Sequence, residues 1–298
     1  MNNYIFVLLL FFVGVSCEKE TEVAIPHSAS QIVVSSILIP DKEIKVFVSQ
    51  SIYMLETEQL PISNAEVSLF SNNQLLEILS LDTTGVYQSK KVKTQSGQNY
   101  SIKVRVNGFD EITASTQVPY SLPLDSIQLK TFIGTSDNGI SLSSLDLFFT
   151  SGDKQLSYYQ YNCHACTDSI NVFGSVCVGE WFSYDAIILE EGDIKSKLFT
   201  NKLFNSTNIK LNLNFEDPTG FFFDSDTANY TLSAQIYSLS EDLYLYQKSL
   251  NAYAESTDNI WQVNNPPQIY SNIKNGIGIF ASMAYSNVIT QRVLDQTK

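Results

Sequence analysis

Hydrophobic and polar positions alternate with a period of two along most of this chain. Ile44, Val46 and Val48 alternate with Lys45, Phe47 and Ser49, and Ala65, Val67 and Leu69 with Glu66 and Ser68. Tyr100, Ile102, Val104 and Val106 alternate with Ser101, Lys103, Arg105 and Asn107. Successive side chains on a strand point to opposite faces, so the pattern predicts strands with one buried face. Ile32-Val33-Val34 and Ile37-Leu38-Ile39 read as a buried strand ending at the turn Pro40-Asp41. Asp82-Thr83-Thr84-Gly85 and the hairpin signal Asn107-Gly108 separate the later strands, the last of them running from Ile112 to Val118. Short strands at a spacing of about 8–12 residues predict a β-sandwich over residues 31–119.

Residues Pro119 through Leu124, with Pro123, mark a boundary. The alternation then resumes at Leu145, Leu147 and Phe149, at Leu211, Leu213 and Phe215, and at Tyr230, Leu232, Ala234 and Ile236. Once, the period changes. Ser238-Leu239-Ser240-Glu241 reads as a capping box, and Leu243, Tyr246, Leu250 and Tyr253 come after it at helical spacing, predicting a helix over about residues 239–254 that docks on a sheet. Asn275-Gly276 reads as a tight turn into a buried strand through Ile277, Ile279 and Phe280. Gly278 sits where backbone or bulk approaches closely. The expected fold is therefore mainly β: an N-terminal β-sandwich of immunoglobulin-like type, then a larger β-rich domain (120–298) with one amphipathic helix.

The first residues obey a different rule. Phe6 to Ser16 is an apolar run ending in small residues, followed by Cys17 and the charged cluster Glu18-Lys19-Glu20-Thr21-Glu22. A run this short is a secretory signal rather than a span. A cysteine at its end fits a lipoprotein, with residues 1–16 removed, Cys17 acylated and 17–30 a tether that also carries His27. Two or three acyl chains anchor a protein stably, each contributing about 0.8 kcal/mol per buried methylene.

Composition adds a direction. The chain has 16 Tyr and 18 Phe, residues that favour strands, and a formal net charge of -13. That charge argues against nucleic acid as a partner, because binding it needs clustered Lys and Arg.

Candidate chemistry is sparse. Beyond Cys17 the thiols are Cys163, Cys166 and Cys177, with His164 between the first two. The expectation is a disulfide from Cys177 to Cys163 or Cys166, with a Cys163–Cys166 redox pair and a metal site as weaker alternatives. A Ser-His-Asp triad is poorly served by the two histidines, His27 and His164. Carboxylates for a glycosidase exist in Glu190, Glu191, Asp193, Asp217, Asp224 and Asp226, without a predicted separation. Asp224-Ser225-Asp226 with Asn229 lacks the Gly and Glu of a calcium loop. No phosphate loop or dinucleotide fingerprint occurs, so no cofactor, no metal and no catalytic residue is expected. Asp82-Thr83-Thr84, Asp125-Ser126-Ile127, Asp168-Ser169-Ile170 and Asp226-Thr227-Ala228 have the form of bacterial O-glycan acceptors. Phe221-Phe222-Phe223 is an apolar cluster suited to an interface.

Asn64-Ala65-Glu66-Val67-Ser68-Leu69, Gly85-Val86-Tyr87 and Gly97-Gln98-Asn99-Tyr100-Ser101-Ile102-Lys103-Val104 resemble transthyretin- or carboxypeptidase-regulatory-like sandwiches, which imply a spacer or binding platform. Leu243-Tyr244-Leu245-Tyr246 with Pro267-Gln268-Ile269-Tyr270-Ser271-Asn272-Ile273-Lys274-Asn275-Gly276-Ile277-Gly278-Ile279-Phe280 resembles a family of Bacteroidota lipoproteins, number 4249 of the domain-of-unknown-function series. The charged cluster after Cys17 is similar to the surface-export signal of such lipoproteins. The resemblance implies a non-enzymatic lipoprotein on the outer face of the outer membrane, accessory to a TonB-dependent barrel, capturing ligand or docking. The other readings are a structural or adhesive envelope protein and a carbohydrate-active hydrolase.

Overall fold

The computed structural model describes residues 30–52, 60–151, 155–167, 177–216, 230–258 and 267–293. The protein is mainly β. One sheet of its N-terminal sandwich holds β1 (Ile32–Leu38), β2 (Glu43–Gln50), β3 (Leu60–Pro61), β6 (Ser80–Thr83) and β7 (Val86–Lys93). The facing sheet comprises β4 (Glu66–Ser71), β5 (Gln74–Ile78), β8 (Asn99–Arg105) and β9 (Ile112–Gln117), in the order β5-β4-β8-β9. The alternating residues do what their period requires: Val34, Val46, Val48, Val67, Leu69, Ile102 and Val104 share one core. Tyr87 crosses beneath it, its hydroxyl accepting from the Ala65 amide (2.8 Å) and donating to the Ile62 carbonyl (2.9 Å).

A second sandwich comes next in the chain. Its outer sheet contains β10 (Leu124–Thr135), β11 (Ser141–Thr150), β13 (Trp181–Phe182) and β15 (Asn208–Glu216), in the order β10-β11-β15-β13. Facing it are β12 (Tyr158–Thr167), β14 (Leu198–Thr200), β16 (Tyr230–Leu239) and β18 (Ile289–Val293). Leu145, Leu147, Phe149, Leu211, Leu213 and Phe215 meet Tyr161, Ala165, Leu232 and Ile236 between them. Leu122 and Leu124, in the proline-bounded segment, belong to this second core.

The two halves share a sheet. Strand β17 (Ile277–Tyr285) pairs in parallel with β1, Val33 opposite Ile277 through Leu38 opposite Ser282, and then antiparallel with β16 through Met283–Tyr285. Ten strands thus form one continuous sheet among the described residues. Gly278 permits the parallel pairing. It has φ +114°, and a Cβ there would sit inside the Val34 carbonyl. Upstream, Asn272 pairs its amide with both backbone groups of Phe280 (3.0 and 2.8 Å), filling the ladder position that a strand would otherwise take. Asn275, at φ +61°, donates to the Glu111 carbonyl (2.9 Å). The Ser-Asn-Ile-Lys-Asn-Gly run is therefore occupied with closing the sheet.

Two helices are described: the single turn α1 (Ala186–Leu189), capped by Asp185, and α2 (Glu241–Asp258). The expected capping box does not form. Ser238 is part of β16 and its hydroxyl accepts from the Leu122 amide (3.1 Å). Ser240 caps α2 instead, accepting from the Leu243 amide (3.3 Å) and, across the junction, from that of Ser282 (3.1 Å). The buried face differs from the expected stripe. Leu243 and Tyr244 are buried against Leu198, Leu239, Ile279 and Ala281, whereas Tyr253 of the expected stripe is exposed. The helix covers the face of β17 opposite Phe280, and its residues 251–255 stand in water.

Candidate functional site

The second half of α2 and the chain from Glu191 to Leu198 enclose an open cleft of about 580 Å³. Two of the candidate carboxylates, Glu191 and Asp193, line it and Glu190 adjoins them; each is engaged. Glu190 pairs with Lys202 (2.7 Å), which holds its carboxyl below the usual range. Glu191, its side chain 4% exposed, accepts from the Tyr244 hydroxyl (2.6 Å) and pairs with Lys248 (2.8 Å). Asp193 accepts from the Lys195 amide (3.0 Å), and the Lys195 ammonium pairs with Glu180 (2.6 Å).

The Tyr244–Glu191–Lys248 group is the tightest cluster of the cleft. Burial opposes the charge on Lys248, but hydrogen bonds to Glu191 and Tyr244 outweigh it and hold its pKa above the ordinary value. Burial, then the Glu191 bond, pushes the Tyr244 hydroxyl up as well. Tyr244 and Lys248 are four residues apart on α2 and so share a face. Beside them the side-chain oxygen of Gln247 is buried without a partner among the described residues.

The cysteines separate by strand parity. On β12, Cys163 and Ala165 face the core, so Cys166 faces the other way and bridges Cys177, with which it forms an isolated antiparallel pair. Cys163 is free and buried, and burial pushes its thiol pKa far up. His164 is exposed on the outer face and has no hydrogen bond to a nucleophile among the described residues. No group of three His, Cys, Asp or Glu among those residues is placed to hold a metal ion. The wall thus offers hydrogen bonds and both signs of charge to a polar ligand.

Of the acceptor tripeptides, Thr83 and Ser126 lie exposed on β6 and β10. Cys17, His27, Asp168-Ser169-Ile170, Asp217, Phe221-Phe222-Phe223, Asp224, Asp226, the tripeptide from Asp226 and Asn229 lie outside the described residues. No helix among the described residues is long and apolar enough to cross a membrane.

Two sandwiches joined through one sheet, with a helix over the junction and clefts along it, define a mainly β protein. The chain belongs to the family DUF4249, a domain of unknown function, whose model matches residues 18–288. Comparison with curated proteins gives no match.

Proposed function

We propose that the protein is a lipid-anchored, non-enzymatic component of the outer face of the bacterial outer membrane, accessory to a TonB-dependent barrel, where it docks or captures ligand. The observation that carries this reading is the family match beginning at residue 18, directly after the apolar run and Cys17. The first described strand starts at Ile32, and the proposed tether, residues 17–30, precedes it in sequence. The acids Glu190 and Glu191 are held by lysines, an arrangement that supports scaffolding over hydrolysis. The open clefts along α2 and its exposed last turns supply surface for a partner or ligand.

The test is a pull-down of tagged protein from detergent-solubilised outer membranes beside Cys17→Ala, with an alkyne-palmitate label read on both. Label on the wild type alone and a stoichiometric barrel in its eluate are expected. Recovery of the wild type alone, under conditions that keep barrel complexes intact, refutes the accessory role and favours a free-standing envelope protein.

A further inference from the structure

A second cleft, of about 490 Å³, opens where the two sandwiches meet. Its walls are the end of β9 and the adjoining Pro119-Tyr120, the approach to β12, and the first turn of α2. Junctions between packed units are common places for ligands. Three features of this one are chemically aligned.

The first is an aromatic shelf. Tyr120 is 73% exposed, which leaves its ring open to a ligand in the cleft. The ring is seated on Gly97, which has φ +79°; a Cβ at that position would lie 2.7 Å from the Tyr120 Cζ. Tyr158, packed at a tilt against Tyr244 with ring centroids 4.7 Å apart, forms another side. The second is negative charge. Glu241 and Asp242 line the cleft together, and Asp242 accepts from the Tyr270 hydroxyl (2.8 Å). The third is the lack of a resident counter-ion. No Lys or Arg is among the described residues lining the cleft, and neither carboxylate has an ion pair among the described residues. Glu241 is exposed and Asp242 partly so, whereas the nearly enclosed Asp146 holds two lysines and Glu191 one. A helix N-terminus accounts for two acids in the first turn of α2. It does not account for the cavity in front of them or for a tyrosine ring held open at its mouth.

We propose that the junction cleft is a binding site for a cationic group, an alkyl ammonium or guanidinium, seated against the Tyr120 ring with its charge toward Glu241 and Asp242. An aromatic face and carboxylates act on a cation together, the ring through its quadrupole and the acids through their charge. A basic side chain of a peptide and a free alkylamine share this chemistry. Gln117, Gln155 and Ser157 on the walls offer hydrogen bonds to the polar backbone flanking a peptide's basic residue. The site does not depend on the anchor or on a barrel.

Titration calorimetry of the full-length protein in detergent tests it with three probes: the blocked tripeptide Ala-Arg-Ala, its Ala-Glu-Ala counterpart, and butylguanidinium. The arginine peptide is expected to bind, to weaken between about 0.05 and 0.5 M salt, and to bind more tightly than butylguanidinium if the source is a peptide. Glu241→Gln should lower affinity about tenfold and Tyr120→Ala about threefold. Gln155→Lys, which places a resident ammonium in the wall, should abolish binding. Tyr120 and Gln155 are exposed, so their variants keep the test readable if Glu241→Gln fails to fold. Equal binding of the acidic and basic peptides overturns the proposal. So does arginine-peptide affinity unchanged in these variants, or no binding of either cation up to about 10 mM.

Discussion

Asp146 is the charged group whose removal should cost the fold most. It lies on β11 with its side chain 1% exposed, on the face of the outer sheet turned away from the core. Lys130 from β10 and Lys210 from β15 reach it at 2.8 and 3.0 Å, and Asn212 donates to its other oxygen at 2.7 Å. Charge-assisted hydrogen bonds contribute about 1.5–3 kcal/mol when shielded. Both lysines are about half exposed, 47% and 49%, so water takes them back on removal of the acid and their share falls to about 1 kcal/mol together. Asn212, left without its acceptor, costs about 1 kcal/mol more, and the vacated space adds to that. Asp146→Ala should therefore lose about 2–3 kcal/mol, and Asp146→Asn, which keeps an acceptor, about 1 kcal/mol. The dependence on pH has a definite sign. Burial disfavours the charged carboxylate, but Lys130, Asn212 and Lys210 outweigh burial and depress its pKa. The stabilisation is thus present above the unfolded carboxylate value of about 3.9 and is lost as pH falls through the folded one. Urea unfolding followed by tryptophan fluorescence, at pH 7 and at about pH 2, measures both effects. A loss under about 0.5 kcal/mol for the alanine variant, or a gap between wild type and Asp146→Asn that is the same at both pH values, refutes the reasoning.

Other parts of the molecule carry further expected outcomes. Gly278→Ala should prevent soluble folding or cost at least about 3 kcal/mol, since the new methyl group would overlap the Val34 carbonyl; thermal melts of the purified variant decide it. Replacing Cys166 and Cys177 by serine opens a bridge between residues 11 apart and should cost about 2–3 kcal/mol, read from the shift in urea midpoint. A thiol reagent should find Cys163 only in denaturant, and modification in the folded state would contradict its burial. At alkaline pH, burial and the Glu241 and Asp242 carboxylates raise the Tyr158 and Tyr270 hydroxyls to about 12. Their stabilisation is complete below the unfolded value of about 10 and is lost as pH rises through about 12. Urea midpoints should drop over that interval, and less steeply in Tyr270→Phe; identical slopes would contradict this.

The strands with one buried and one wet face were legible because burial imposes a period that sequence records, as at Tyr100–Val104. Strand β5 was not, because Leu75, Leu76 and Ile78 are all substantially exposed at a sheet edge and so carry no alternation. The helix is where its spacing predicts, but its cap lies two residues later: Ser238 and Ser240 both precede an acid, and only tertiary pairing assigns Ser238 to β16. The disulfide partner could have been chosen by parity, since Tyr161, Cys163 and Ala165 share a face and Cys166 does not. Within the outer cleft, the four-residue spacing of Tyr244 and Lys248 was readable, whereas Glu191 lies 53 residues from Tyr244 and no local signal joins them. The junction cleft depends on three distant segments and left no trace in the pattern.

Strand β17 gives the chain an order of events. Its partner β1 is among the first strands to leave the ribosome, and the register joins Val33 to Ile277 across 244 residues. At about 5–20 residues per second, synthesis alone separates these two by tens of seconds. Through that interval β1 has an open edge, the condition under which strands pair with the wrong neighbour. The loop entropy of so distant a pairing grows only logarithmically, about 0.6 kcal/mol per doubling, so the burden falls on timing and on whatever shields the waiting edge. A polypeptide that stops before Ile277 can complete neither sandwich. Closure of the shared sheet therefore makes completion of both sandwiches wait on the synthesis of β17.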